Sequence, residues 1–152
     1  MDLTRLIALI HVGTAFLFVA GYVGANVLTE VARRTDDPAL LGSALWFSGR
    51  FDRWLLIPFG TGTSLAGLAL VALIGYAWTT PWVVASIVIY AVIMGLGIFV
   101  WGARGRRIET AHAAGDSGET WRLLREPRYY VLARVENLAL VILVALMVLR
   151  PG

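Results

Sequence analysis

"WVVASIVIYAVIMGLGIFVW", residues 82 to 101, decides the fold, because it carries no charged side chain and offers no polar face at any period. A run of this length meets the roughly 20-residue requirement for a helix that crosses the hydrocarbon of a bilayer. A helix packed in a water-soluble protein would need a hydrophilic stripe, and this one has none. Its β-branched residues and glycines fit the same reading, since lipid offers the backbone no partner outside its own helix. Three further apolar runs, at about 6 to 28, 54 to 76 and 130 to 149, have the same character. The spacing therefore predicts an all-α, integral membrane four-helix bundle, with residues 1 to 152 forming a single four-helix transmembrane domain.

Composition agrees and narrows the chemistry. The chain is 59% hydrophobic and 15% charged, against the 45 to 50% apolar usage of ordinary soluble domains. It contains no cysteine, which excludes disulfides, thiolate metal sites and iron-sulfur clusters held by this chain. The formal charge is +3, and every one of the 13 basic residues is arginine. Basic residues beside membrane spans set orientation and meet anionic headgroups, so no nucleic-acid partner is expected. The start, MDLTRL, leads into a run longer than a signal h-region and without a small-residue cleavage site, which reads as a retained span.

The connections differ sharply in charge. Arg33, Arg34, Arg50 and Arg53 fall in the first, and Arg104, Arg106, Arg107, Arg122, Arg125, Arg128 and Arg134 lie in or beside the third. The amino terminus has only Arg5, the second connection has no arginine, and the carboxyl end has Arg150. The positive-inside rule then places both long connections in the cytoplasm and the N and C termini on the extracytoplasmic side of a multi-pass cell-membrane protein. Trp54, Trp78, Trp82 and Trp101 sit at span ends, as an aromatic belt would. In the first connection, Asp37 as N-cap and Pro38 at the first helical position, followed by Leu41, Leu45 and Trp46, predict a short interfacial helix. The stretch "RGRRIETAHAAGDSG" of the third reads as a mobile polar connection, and Glu126 with Pro127 as the opening of the last helix.

The polar residues inside these runs are the candidates for chemistry. At 100° per residue His11, Thr14, Ala15, Phe18, Tyr22, Ala25, Asn26 and Thr29 share one face of the first helix, with Gly13, Ala20 and Gly24 roughly opposite. Polar side chains turn into a bundle because lipid offers them nothing, so His11 should face inward. There it is either a neutral ring bonded to a neighbouring helix, or an axial haem ligand, a metal ligand or a proton acceptor. In the second helix Gly60, Ser64 and Gly67 form a small-residue seam below Pro58, suited to close packing or to a flat ligand. In the third, Ser86 and Tyr90 share a face and reach toward the depth of His11, as hydrogen-bonding groups or as part of a cofactor pocket. A second, intramembrane polar cluster is expected from Asn26, Glu30, Arg53, Arg134, Glu136 and Asn137. Glu136 is its unusual member: an unpaired carboxylate two turns inside a span costs about 2 to 3 kcal/mol on insertion scales, which an arginine such as Arg53, or protonation, would relieve. The cluster is either a structural clamp or a proton or ligand site. No phosphate loop, zinc spacing or nucleophile elbow is present, and no catalytic set is complete.

The segments "LIHVGTAFLFVAGYVGANVL", "FDRWLLIPFGTGTSLAGLALV", "WVVASIVIYAVIMGLGIFVWGARGRRI" and "LVILVALMVLRPG" resemble a family of uncharacterised predicted integral membrane proteins of similar length, over nearly the whole chain. More distantly the arrangement resembles copper-resistance D membrane domains and HemJ-type protoporphyrinogen oxidases, small helical bundles with an early histidine. The oxidase likeness implies haem b, with the first-helix histidine at His11 and the arginine, asparagine and glutamate of the last helix at Arg134, Asn137 and Glu136, the last two in exchanged order. Where those oxidases carry a lysine early in the third helix, this chain has Ser86. For copper, His11 and the methionines Met1, Met94 and Met147 are poorly matched in depth. The reading that results is a structural or accessory subunit of a larger membrane complex, with the lipid bilayer and either other subunits or a second copy as partners. The alternative is a b-type haem redox protein using His11 as axial ligand.

Overall fold

The computed structural model describes residues 2 to 149. Among these residues there is no strand. The helices are α1 (Leu3–Arg34), α2 (Pro38–Ile74), α3 (Pro81–Ala113), α4 (Ser117–Leu124) and α5 (Pro127–Leu149). Four of them, α1, α2, α3 and α5, are long and apolar enough to cross a membrane. At a rise of 1.5 Å per residue, the 32, 37 and 33 residues of α1, α2 and α3 extend about 48, 55 and 50 Å. Hydrocarbon is about 30 Å thick, so each has turns to spare beyond the slab. Large apolar side chains such as Phe16, Phe99, Leu138 and Val141 point outward, which in water would be untenable and in lipid is the expected solvent-facing surface.

The helices gather into two compact units, Met1–Tyr76 and Ala77–Gly152. In the first, α1 lies along α2. Asp2 caps α1 by accepting from the Thr4 amide, and Phe18, Gly21, Tyr22, Ala25 and Ala32 form its buried stripe at helical spacing. Across from them α2 contributes Leu41, Ala44, Gly60, Thr63 and Ala66. Asp37 does cap Pro38, its Oδ1 accepting from the Ala39 amide at 2.9 Å. The helix it opens is not a separate interfacial piece, however, but runs on into the span. What joins them is a π-helical turn, Asp52–Leu56, in which the Ile57 amide reaches back five residues to the Asp52 carbonyl. Pro58 has no amide to donate and its ring would press on the carbonyl four residues earlier; the wider turn just before it accommodates both faults without ending the helix.

That wide turn fits against α1 only where α1 has no side chain. A Cβ on Gly21 would stand 2.6 Å from Leu55 Cβ, and one on Gly24 would stand 2.6 Å from Cε1 of Phe51. Gly13, which shares the small-residue side of α1 with Gly24, has nothing within 4 Å. α2 ends at Gly75, whose φ of 81° is the left-handed conformation that glycine adopts without strain.

In the second unit, α5 pairs with the Pro81–Gly95 part of α3, burying Leu140 and Leu143 with Val83 and Ile93. α3 has its own π turn, Leu96–Trp101, where the Gly102 amide bonds the Gly97 carbonyl. Beyond it the helix continues to Ala113, which corrects the expectation of a mobile connection from Arg104 onward. Arginine, alanine and glutamate in this stretch are good helix formers, and Thr110 closes its hydroxyl onto the Arg106 carbonyl at 2.8 Å. The turn comes at Gly115, φ 72°. α4 follows, capped by Asp116 Oδ1 on the Glu119 amide at 2.9 Å, and packs Thr120, Leu123 and Leu124 against the Ile108 side of α3. α5 opens at Pro127, as expected.

Candidate functional site

Each unit holds one inward polar arrangement. In the first, half-buried His11 places Nδ1 3.0 Å from the Thr63 carbonyl oxygen of α2. A carbonyl only accepts, so Nδ1 carries the hydrogen, and in the neutral ring Nε2 keeps the lone pair. Among the described residues no hydrogen bond reaches Nε2. The local sequence explains why the ring can reach a helical carbonyl at all. Gly67 stands four residues beyond Thr63, and a Cβ there would lie 3.0 Å from His11 Cε1, so the bare glycine opens the space the imidazole fills. The Thr63 hydroxyl turns to its own helix, donating to the Phe59 carbonyl at 2.7 Å. One turn along, Thr14 donates to the Ile10 carbonyl at 2.8 Å and sets its methyl against Gly62.

In the second unit the inward groups are Trp101, Arg104, Tyr129 and Glu136. Glu136 is 3% exposed, and its Oε2 accepts the indole N–H of Trp101 at 2.5 Å. Arg104, 8% exposed, donates from Nη2 to the carbonyls of Leu123 and Leu124 at 2.9 and 3.2 Å, which ties down the last turn of α4. Its guanidinium lies 4.4 Å from the centre of the Tyr129 ring, and Arg128 lies 4.9 Å from the same ring. Tyr129 is thus in contact with two cations, each attracted by its π density. Trp101 stands 5.8 Å from Tyr129 and completes the group.

The residues named from sequence fall as follows. Asn26 donates to the Tyr22 carbonyl on its own helix at 2.9 Å. Glu30 is gripped by Arg33 at 2.7 and 2.8 Å and by Arg34 at 2.5 Å, also on its own helix. Arg53 is exposed on the π turn of α2. In the second unit Arg134 donates to the Tyr130 hydroxyl at 2.7 Å, and Asn137 is half-buried. The carboxylate that sequence reasoning offered to Arg53 therefore meets an indole of its own unit. Ser86 is buried on α3, and among the described residues its hydroxyl makes no hydrogen bond; Tyr90 is half-buried one turn away.

Sequence reasoning missed Arg104 and Tyr129 as inward groups and assigned Trp101 to the aromatic belt. The available signal was the spacing of Trp101 and Arg104, three residues apart on one helix face. On α4, outside the spans, Arg122 grips Glu119 through two bonds of 2.6 Å and holds that carboxyl below the usual glutamate range. Among the described residues no three histidine, aspartate or glutamate side chains gather as a metal site. A family model described as "Predicted integral membrane protein (DUF2269)" matches residues 5–151. No curated protein and no solved structure matches the chain.

Proposed function

Starting from the fact that the chain belongs to the DUF2269 family of predicted integral membrane proteins, we propose that it is a structural or accessory subunit of a membrane complex. The observation that supports this reading is where the inward polar groups are spent. His11 ties α1 to α2, Trp101 ties α3 to α5 through Glu136, and Arg104 ties α3 to the end of α4. Each is a clamp between helices, of the kind that fixes a scaffold. The remaining surface of the spans is apolar and open to lipid or to the apolar faces of partner helices. Extraction in a mild detergent should recover a stable partner in fixed ratio, and repeated isolation as an active solitary species refutes the proposal.

We further propose that both long connections face the cytoplasm of the cell membrane, as the arginine bias favours. The absence of native cysteine makes the test clean. A Ser117→Cys variant in intact cells should resist a membrane-impermeant maleimide, and labelling from outside refutes the assignment.

One observation favours a second reading, the b-type haem protein. A histidine that ligates a metal characteristically donates its other ring nitrogen to a carbonyl or carboxylate, and His11 does so toward Thr63. His11 would hold the group through Nε2, with Nδ1 orienting the ring on the Thr63 carbonyl. A bound haem would supply one-electron redox chemistry; Thr63 and Gly67 would hold the ring in position for it. A Soret band lost in His11→Ala supports this reading, and colourless protein after haem-replete expression refutes it.

A further inference from the structure

Gly102 and Arg106 fall on one side of α3, four residues apart, just beyond the exposed Ile98 and Phe99 of the π turn, and this order along the helix is the order of parts in a phospholipid. Ile98 and Phe99 are 59% and 77% exposed, an apolar surface on the stretch that closes the span. Gly102 follows, the first residue past the π turn, where the apolar run of the span gives way to the arginine-rich stretch. A Cβ on Gly102 would meet Arg106 Nη1 at 3.6 Å, so the guanidinium folds back over the glycine. Among the described residues Arg106 is exposed and has no hydrogen bond or ion pair through its side chain. This distinguishes it from Arg104, which is bound to carbonyls, from Arg122, bound to Glu119, and from Arg128, bound to Glu126.

We propose that this side of α3 seats one anionic phospholipid, its acyl chain along Ile98 and Phe99 and its phosphate in the notch over Gly102, held by Arg106. A guanidinium matches a phosphate with two parallel N–H donors. Glu109, one turn beyond, is the nearest carboxylate on this helix and is absent from Arg106's bonding partners. Charge complementarity selects an anionic lipid over a zwitterionic one, and the apolar approach to the notch selects a lipid over a free anion.

The test is native mass spectrometry of the full chain released from detergent, titrated with phosphatidylglycerol or with phosphatidylcholine. Wild type should bind the first adduct of phosphatidylglycerol about fivefold more tightly than Arg106→Gln, the effect of one arginine at an anionic surface. Gly102→Leu, which fills the notch and leaves every charge in place, should lose the same adduct. Helical circular dichroism of both variants should match wild type, because neither side chain holds another helix. Equal phosphatidylglycerol binding in wild type and Arg106→Gln overturns the proposal, as does equal binding of phosphatidylcholine. Displacement of the lipid by millimolar inorganic phosphate, or loss of a second protein copy instead of a lipid adduct, overturns it as well.

Discussion

Alanine placed at three glycines of α1 should give three different answers. At Gly21 the added methyl would sit 2.6 Å from Leu55 Cβ, with the Leu56 amide nitrogen at 3.5 Å and the Leu55 carbonyl carbon at 3.6 Å. A Cβ cannot rotate away and the backbone behind it is a helix, so α1 and α2 must separate by about 1 Å to restore contact distance. Overpacking of that kind costs about 1 to 3 kcal/mol, offset by up to about 1 kcal/mol from alanine's better helix propensity. At Gly24 the obstruction is the Phe51 ring edge, at 2.6 and 2.8 Å, which can swing. At Gly13 nothing lies within 4 Å, so only the propensity gain remains. The expected order of stability is therefore Gly13→Ala at or above wild type, Gly24→Ala slightly below, and Gly21→Ala lowest, with about 1 to 3 kcal/mol between the extremes. Unfolding in mixed micelles with rising sodium dodecyl sulfate, followed by circular dichroism, measures it. If Gly21→Ala unfolds at the same point as Gly13→Ala, the close seating of the π turn on α1 is wrong.

Three further outcomes follow from the second unit. Trp101→Phe removes the indole donor from a buried carboxylate and should cost about 1.5 to 3 kcal/mol in the same assay; a variant as stable as wild type would show that this bond does not tie α3 to α5. Arg104→Ala should release the end of α4, seen as faster limited proteolysis between residues 113 and 117 with the spans still intact; unchanged cleavage would show that Leu123 and Leu124 hold α4 alone. The Glu119 carboxyl is depressed by Arg122, so its contribution is full above the ordinary glutamate value, about 4.3, and is lost as pH falls through the lower folded value. The α4 helix should thus loosen in acid, more at low salt than high, and Glu119→Gln should reduce the loss of hydrogen-exchange protection between neutral and acid pH.

Much of this architecture can be read from particular residues. The four long apolar helices follow from run length, the Asp37 cap and the Pro127 start from local chemistry, and the burial of Phe18, Tyr22 and Ala25 from the 100° step. Membrane family membership agrees with the quoted segments. Neither π turn is legible in the sequence. A periodic reading assumes 3.6 residues per turn throughout, and the turn at Leu96–Trp101 adds one residue, rotating everything after it by about 100°. Arg104 lies in a stretch polar enough to read as a connection, and Trp101 at a span end, so neither is assigned a helix face from the sequence. Gly21 escaped notice for a related reason: its value lies in the bulge of the neighbouring helix, and nothing in α1 announces that. The partner of Glu136 was hidden because a tryptophan near a span end has an ordinary interfacial explanation.

The wide turns also bear on how the gene can change in length. In a regular coil, excision of a single codon twists the remainder by a full step and misdirects every later side chain. Within Leu96–Trp101 the same excision would merely let the coil tighten to its usual winding, leaving Arg104 and Ile108 aimed as before. Length polymorphism among relatives should therefore gather at these two places and be purged from the rest of both helices.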